Sequence, residues 1–438
     1  MGPGFRGWIV GMAFVLWSPL MLPAANWTLA DALDRAKESH PDARIAAARV
    51  LEAQAISAGA RVGRQPQVGL RASYIQTNNP MQGFGMILGQ GTFDNSIDFN
   101  DPGQLDAFNA TLEGRYRIYS GGAVQSGIQS AEAAERASEL SEESVQQLIQ
   151  DGVVQAYFGI RQADEVVRSI EAGIRVLEEN LRVSEIREEA GQLIRTERLN
   201  LEVELAALRR ELLGQQHQAR LARSQLAFLL GESSGSEIEL AENDPSIDRI
   251  TEPSIIGIQN RPEMRAARAR LEAAEYATSA AKSGKLPTVD AFANVQADKG
   301  WRRDGDGSSW TAGLVMNLPI FDGNSTKAKT SLAGARERMA TEQLRRLELS
   351  LELELEQARL GHELALAQKK VAEQQVQQAN EAAALSRERF AAGTLLSTEL
   401  IGVESRLVDA NVQLALATSR EKTALAHLRR ACGMQILN

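Results

Sequence analysis

The sequence carries one arrangement twice, 202 residues apart, over residues 119–231 and 321–433. Tyr119-Ser-Gly-Gly122 matches Phe321-Asp-Gly-Asn324, and Gln155-Ala156 matches Gln357-Ala358. Arg187-x-x-Ala190-Gly191-x-Leu193-x-x-Thr196-Glu197 matches Arg389-x-x-Ala392-Gly393-x-Leu395-x-x-Thr398-Glu399, and Gly231 matches Gly433. No gap is needed in either copy. Both copies must satisfy one architecture, and a pseudo-symmetric assembly is the usual outcome of such a duplication.

Proline marks the divisions. None occurs from residue 103 to 244, and none from 320 to 438. Proline breaks helices, so its absence permits very long ones. Ala123–Glu189 and its copy Ser325–Ala391 are 67 residues each, about 100 Å as an unbroken helix. Each leads into a glycine turn, at Gly191 or Gly393, and a returning helix of about forty residues. The returning helices carry a coiled-coil seam with alternating steps of four and three. In copy one it runs Leu201, Leu205, Leu208, Leu212, Gln215, Ala219, Ala222, Leu226, Leu229; in copy two Val403, Leu407, Ala410, Leu414, Ala417, Glu421, Ala424, Leu428, Ala431. The many alanines let neighbouring helices approach closely, as in a helix packed on both sides within a hollow cylinder. Leu347 to Leu355 alternates with period two, like a strand. Leu and Glu favour helix and Glu is poor in strands, so helix is expected there.

A different pattern precedes each hairpin. Val68, Leu70, Ala72 and Tyr74 alternate with polar neighbours, as do Leu112, Gly114, Tyr116 and Ile118. Val289 to Val295 and Trp310 to Leu318 repeat this in copy two. Four strands of about ten residues, apolar on one face and polar on the other, suit a membrane β-barrel, with Tyr74, Tyr119 and Trp310 as interface aromatics. The first strand pair encloses a Gly- and Asn-rich loop, Gln76 to Asn109; the second encloses a short charged one, Ala297 to Ser309. Pro66 matches Pro287 at an offset of 221, so copy one holds 19 extra loop residues.

Composition narrows the class. Ala, Glu, Leu, Gln and Arg dominate and aromatics make up 5%, which suits long helices rather than large globular cores. A net charge of -9 argues against a nucleic-acid partner. The lone Cys432 excludes an internal disulfide and a multi-cysteine metal site. Arg6, the apolar stretch Trp8 to Leu22 and Pro23-Ala24-Ala25 read as a signal peptide over residues 1–25. The organisation expected is a signal peptide at 1–25, a first repeat at 26–231, a linker at 232–260 and a second repeat at 261–438. Short helices open each repeat, at 27–64 and 262–284.

Four strands cannot close a barrel, and open edges are not tolerated in lipid. Two copies give eight strands and little lumen; three give twelve and room for a pore. The fold expected is mainly α with membrane β. Long helical hairpins form a trimeric α-helical tunnel, and four strands per chain make a shared 12-stranded barrel.

The two-fold repeat, the strands opened by Pro66 and Pro287 and the two Arg-x-x-x-Gly-x-x-x-x-Thr-Glu turns resemble the outer-membrane efflux family typified by TolC. The resemblance covers nearly the whole mature chain. It implies a homotrimeric channel-tunnel in the outer membrane of a Gram-negative bacterium, in contact with outer-membrane lipid. Its helical tips would dock onto a periplasmic adaptor (membrane fusion) protein driven by an inner-membrane pump. The tip positions carried over are Arg187, Gly191, Leu193 and Thr196, and Arg389, Gly393, Leu395 and Thr398. Glu197 and Glu399 match acidic positions lining the family's closed periplasmic mouth, where six carboxylates in a trimer would attract cations. The family's tyrosine–arginine latch meets Phe390 and Leu395 here, which lack the hydroxyl and the charge.

Nothing in the sequence points to an enzyme or a cofactor. His40, His217, His362 and His427 are scattered. Ser279-Ala-Ala-Lys282 lacks the partner motifs of a Ser-x-x-Lys enzyme, and Gly83-Phe-Gly85 lacks the third glycine of a nucleotide loop. Cys432 stands where copy one has Leu230, as a small packed residue would. The rival reading is a soluble periplasmic coiled-coil scaffold, which shares the signal peptide and helices but leaves the four strands without a purpose.

Overall fold

Both proline-free stretches form the long helices expected of them, in a computed structural model that describes residues 26–437 apart from 99, 234, 252 and 254–256. The signal-peptide segment, 1–25, lies outside the described residues. In chain order the elements of copy one are β1 (Asn26–Trp27), α1 (Leu29–Ser39), α2 (Pro41–Arg61), β2 (Gln67–Thr77), α3 (Pro80–Gly89), β3 (Leu105–Tyr119), α4 (Ala123–Glu189) and α5 (Arg195–Leu229). There follow β4 (Glu239–Leu240), α6 (Pro262–Lys282), β5 (Thr288–Gly300), β6 (Gly305–Asn317), α7 (Ser325–Ala391) and α8 (Ser397–Ala431).

Helices α4 and α7 are 67 residues each and run unbroken. The Leu347–Leu355 stretch is helix within α7, where intrinsic propensity prevails over the period-two pattern. The returning helices are 35 residues, shorter than expected. No residue of either heptad seam is fully exposed. Helix α8 also buries a second stripe, including Glu404, Val408, Ala415 and Ser419, because it lies between α7 and α4. Helix α5 has only one such face.

The four long strands form one antiparallel sheet in the order β2-β3-β5-β6. The repeat holds at the level of register: Gln67 pairs with Arg115, and their counterparts Thr288 and Asn317 pair with each other. Strands β2 and β6 end the sheet, each with one unpaired edge. The apolar face, with Leu70, Leu112, Trp310 and Leu314, is exposed. Such a face suits lipid rather than water.

Both loops differ from expectation. The Gln76–Asn109 segment is not all loop: strand pairing persists to Thr77 and resumes at Leu105, and α3 lies between them. Helix α3 starts at Asn79-Pro80, where the Asn79 side chain caps the Met81 and Gln82 amides and Pro80 takes the first turn. The Ala297–Ser309 loop shrinks to residues 301–304, since pairing extends to Gly300 and Gly305.

Residues 232–260 are more than a tether. Strand β4 pairs in parallel with β1, and Ile238 and Ile250 enter the main core with Leu29, Tyr157, Leu226 and Leu230. Asp244, 8% exposed, is the polar centre of that core. It accepts from the Leu29 amide at 2.7 Å, the Tyr157 hydroxyl at 2.7 Å, and the Ser246 amide and hydroxyl. Burial alone would raise its pKa; these hydrogen bonds outweigh burial and hold the carboxylate below its usual range. Burial pushes Tyr157 up to about 12.

Candidate functional site

The two helical tips lie side by side at the end of the hairpins. Each is a Schellman turn. The Gly191 amide donates to the Glu188 carbonyl at 2.9 Å and the Gln192 amide to the Arg187 carbonyl at 2.8 Å. In copy two, Gly393 donates to Phe390 at 3.0 Å and Thr394 to Arg389 at 2.9 Å. The pattern needs a left-handed residue, and Gly191 and Gly393 have φ of 73° and 78°. The sequence resemblance between the tips is therefore a resemblance of backbone.

Side chains tie the tips together across the repeat. Arg187 on tip one donates to the Phe390 carbonyl on tip two at 2.7 Å. Its guanidinium also lies over the Phe390 ring, 5.6 Å from the centroid. Glu197, in the first turn of α5, accepts from the Ser397 amide at 2.8 Å and from the Ser397 hydroxyl. Ser397 is the first residue of α8, so the carboxylate satisfies an orphan amide and faces the positive end of that helix's dipole. Two turns further along, Ser405 donates to Glu204 at 3.1 Å.

The structure thus brings Arg187 and Glu197 together with tip two, while Leu193 and Leu395 are half-buried and Leu395 packs beneath the tips. Gly191, Thr196, Arg389, Gly393, Thr398 and Glu399 are exposed. Phe390, which lacks the hydroxyl of the family's latch, is 1% exposed. Its ring belongs to the hydrophobic cluster that includes Leu201 and Leu400 near the tips, and its outer face carries Arg187. Further ion pairs brace each tip: Arg387 grips Glu404 with two bonds, at 2.6 and 2.7 Å, and Arg198 reaches Glu188 at 2.6 Å.

Ser397, Phe390 as a partner, and Glu404 are structural neighbours of the tips that the sequence alone does not reveal. Glu404 flanks the seam position Val403, where an acid is ordinary in a coiled coil, so nothing in the sequence signals its burial against Arg387. Nothing local marks Ser397 as the recipient of a carboxylate 200 positions away. Among the described residues there is no group of three or more His, Cys, Asp or Glu able to hold a metal. Ser279 of the Ser-x-x-Lys pattern donates to the Glu275 carbonyl of its own helix, and Gly83 and Gly85 lie within α3. None of the described helices is long and apolar enough to cross a membrane.

Comparison with known proteins agrees with this architecture. The chain is 25% identical over 438 aligned residues to the pyoverdine export outer membrane protein OpmQ of Pseudomonas putida, covering 94% of this chain and 88% of that one. It is 27% identical over 331 residues to the fusaric acid resistance protein FusA of Burkholderia cepacia, covering 72% of this chain and 60% of that one. Its fold is similar to the outer membrane protein VceC of Vibrio cholerae, with a TM-score of 0.79 at 21% identity over 93% of this chain and 96% of that one. It is also similar to CusC, with a TM-score of 0.80 at 16% identity over 99% of both chains. The profile of the family described as outer membrane efflux protein matches residues 32–232 and 257–434, nearly all of both repeats. The chain belongs to the outer membrane efflux protein family, whose members are transport channels and not enzymes.

Proposed function

We propose that this chain is the outer-membrane exit duct of a tripartite efflux or secretion system, conducting substrates passively across periplasm and outer membrane. Three copies share one barrel and one helical tunnel. Their tips, at Arg187, Gly191, Leu193 and Thr196 and at Arg389, Gly393, Leu395 and Thr398, dock onto a periplasmic adaptor driven by an inner-membrane pump. The observation that carries this reading is a four-stranded sheet with both edges open and its apolar face exposed. Such a sheet is viable in lipid only when copies close it.

The helices support the same closure. Within the chain, α8 packs on α4 through Ile401, Val408 and Ala415. Their counterparts in copy one, Leu199, Ala206 and Leu213 on α5, are exposed. Leu360 on α7, the counterpart of the buried Phe158 on α4, is exposed as well. A neighbouring copy that repeats the α4–α8 contact as α7 against α5 covers both faces. The test is fractionation followed by light scattering on the detergent-extracted protein. A trimer from the outer-membrane fraction is expected; a monomer in the soluble periplasm would leave only the scaffold reading.

In this duct Glu197 and Glu399 form the acidic constriction, Glu399 from its exposed side and Glu197 from its seat on α8. Replacing both with Gln lowers cation selectivity in planar bilayers. An unchanged reversal potential would refute that assignment.

A further inference from the structure

Helix α3 and its flanks fill the place where copy one is longer than copy two, and they lie on the polar face of the sheet. Register shows which face this is. Leu112 pairs with Val295 and Val295 with Trp310, so these share the apolar face; Asn109, Gln296 and Asp298 share the other. A Cβ built on Gly89 would sit 3.7 Å from the Asp298 carboxylate, and one on Gly83 would press on Leu105, which is also on the polar face. Leu105 and Ala107 are buried, the latter 7% exposed, although they are on the side a pore would wet.

The attachment is a built one. Gly300, Gly305 and Gly307 have no room for a side chain, because Gln90, Thr92 and the Gly89 carbonyl occupy the space a Cβ would take. The buried Gln90 side chain donates to the Asp106 carbonyl at 2.7 Å, and Ile87 is 0% exposed. The Asp106 carboxylate in turn holds the Arg302 amide at 2.8 Å in the turn between β5 and β6. Helix α3 is therefore fixed to both hairpins by its Gly83–Ile87–Gln90 face. Its opposite face carries Met81 and Leu88, 85% and 50% exposed, with Phe84 between them.

Resting on the trimeric reading, we propose that the Met81 and Leu88 faces of three subunits meet on the barrel axis and form an apolar second constriction at the outer mouth. The occupant of each exposed face is the same face of the other two copies. Space requires the meeting. Twelve strands about 4.7 Å apart, tilted about 40°, make a wall of about 12 Å radius. Three helices of about 10–12 Å diameter with their side chains touch when their axes lie about 6–7 Å from the centre, and such a wall holds them to about 7 Å or less. An apolar ring there resists wetting and so opposes the passage of small ions, while the acidic mouth at the far end sorts by charge.

Cysteine cross-linking of the full chain tests this. Met81→Cys and Leu88→Cys are made separately, each at an exposed position that tolerates change, with Leu70→Cys on the outer apolar face as control; the native Cys432 is buried. Extracted trimers are oxidised and run without reductant. Cysteines meeting on an axis join one pair per trimer, since a disulfide needs Cα atoms within about 7 Å. A covalent dimer holding up to about two-thirds of the chains is then expected from either variant, and none from Leu70→Cys. Intact trimers that yield no dimer from either variant overturn the constriction and leave the duct standing. Absence of trimers overturns both.

Discussion

Arg187 and Glu197 should decide how tightly the two tips of one chain are held together. The perturbation is the double variant Arg187→Ala with Glu197→Ala. The Arg187 bond to the Phe390 carbonyl, at 2.7 Å, is charge-assisted; such bonds contribute about 1.5–3 kcal/mol when buried, and half-exposure reduces this to about 1 kcal/mol. Its position over the Phe390 ring adds about 0.5–1 kcal/mol. The Glu197 carboxylate on the Ser397 amide acts as an N-cap supplied from another helix, contributing about 1 kcal/mol. Together these amount to about 2.5 kcal/mol, or about a 60-fold rise in the local opening equilibrium at 1.4 kcal/mol per factor of ten. Hydrogen–deuterium exchange reads this directly, because the Gly393 and Ser397 amides are themselves bonded in the tip. Peptides over residues 385–405 should exchange about 60-fold faster, and peptides over residues 150–165, in the main core, at the original rate. Arg187→Lys should fall between, since lysine keeps the charge but not the planar fork. An acceleration under about threefold in the double variant would mean that solvent already satisfies these groups, and the cross-tip contacts would lose their role.

The remaining predictions concern the core and the turns. Asp244→Ala strands the Leu29 amide and the Tyr157 hydroxyl in the core and should destabilise the chain by about 3–5 kcal/mol; Tyr157→Phe should cost about 1 kcal/mol, and thermal melts compare the two. Because the folded Asp244 has a lowered pKa, its stabilisation is complete above the unfolded value of about 3.9 and is lost as pH falls through the folded one. Asp244→Asn should therefore flatten the acid limb of the melting curve, and an acid limb of undiminished slope would show that other carboxylates control it. At the turns, alanine at either glycine meets a left-handed backbone, costing about 1–2 kcal/mol. Only at Gly393 does the new Cβ also meet a neighbour, the Arg187 guanidinium at 2.8 Å, whereas Gly191 faces open space. On the proposed docking role, Gly393→Ala should weaken co-purification of a periplasmic adaptor more than Gly191→Ala does, and equal losses would refute the difference.

The parts of this fold that were legible are those whose cause is local or periodic. Unbroken helices over 123–189 and 325–391 follow from missing proline, the turns from glycine, and the buried seams from steps of four and three. The strands followed from alternation, though not their full length: Gly300, Gly305 and Gly307 read as loop, and are glycine because α3 presses against them. Asn79-Pro80 was a legible start signal for α3, masked by the glycines around it. What could not be read was every contact set by approach in space, above all the clasp between tips. The repeat itself explains why only half of that clasp is visible. Glu197 reaches Ser397 within one chain, but Glu399 is exposed, and the counterpart of Ser397 is Arg195 at the start of α5. In a closed ring that position belongs to the next subunit. In the trimer proposed above, the start of α8 that carries Glu399 would lie beside the start of α5 of the next subunit, so the exposed tip residues mark where that neighbour would sit.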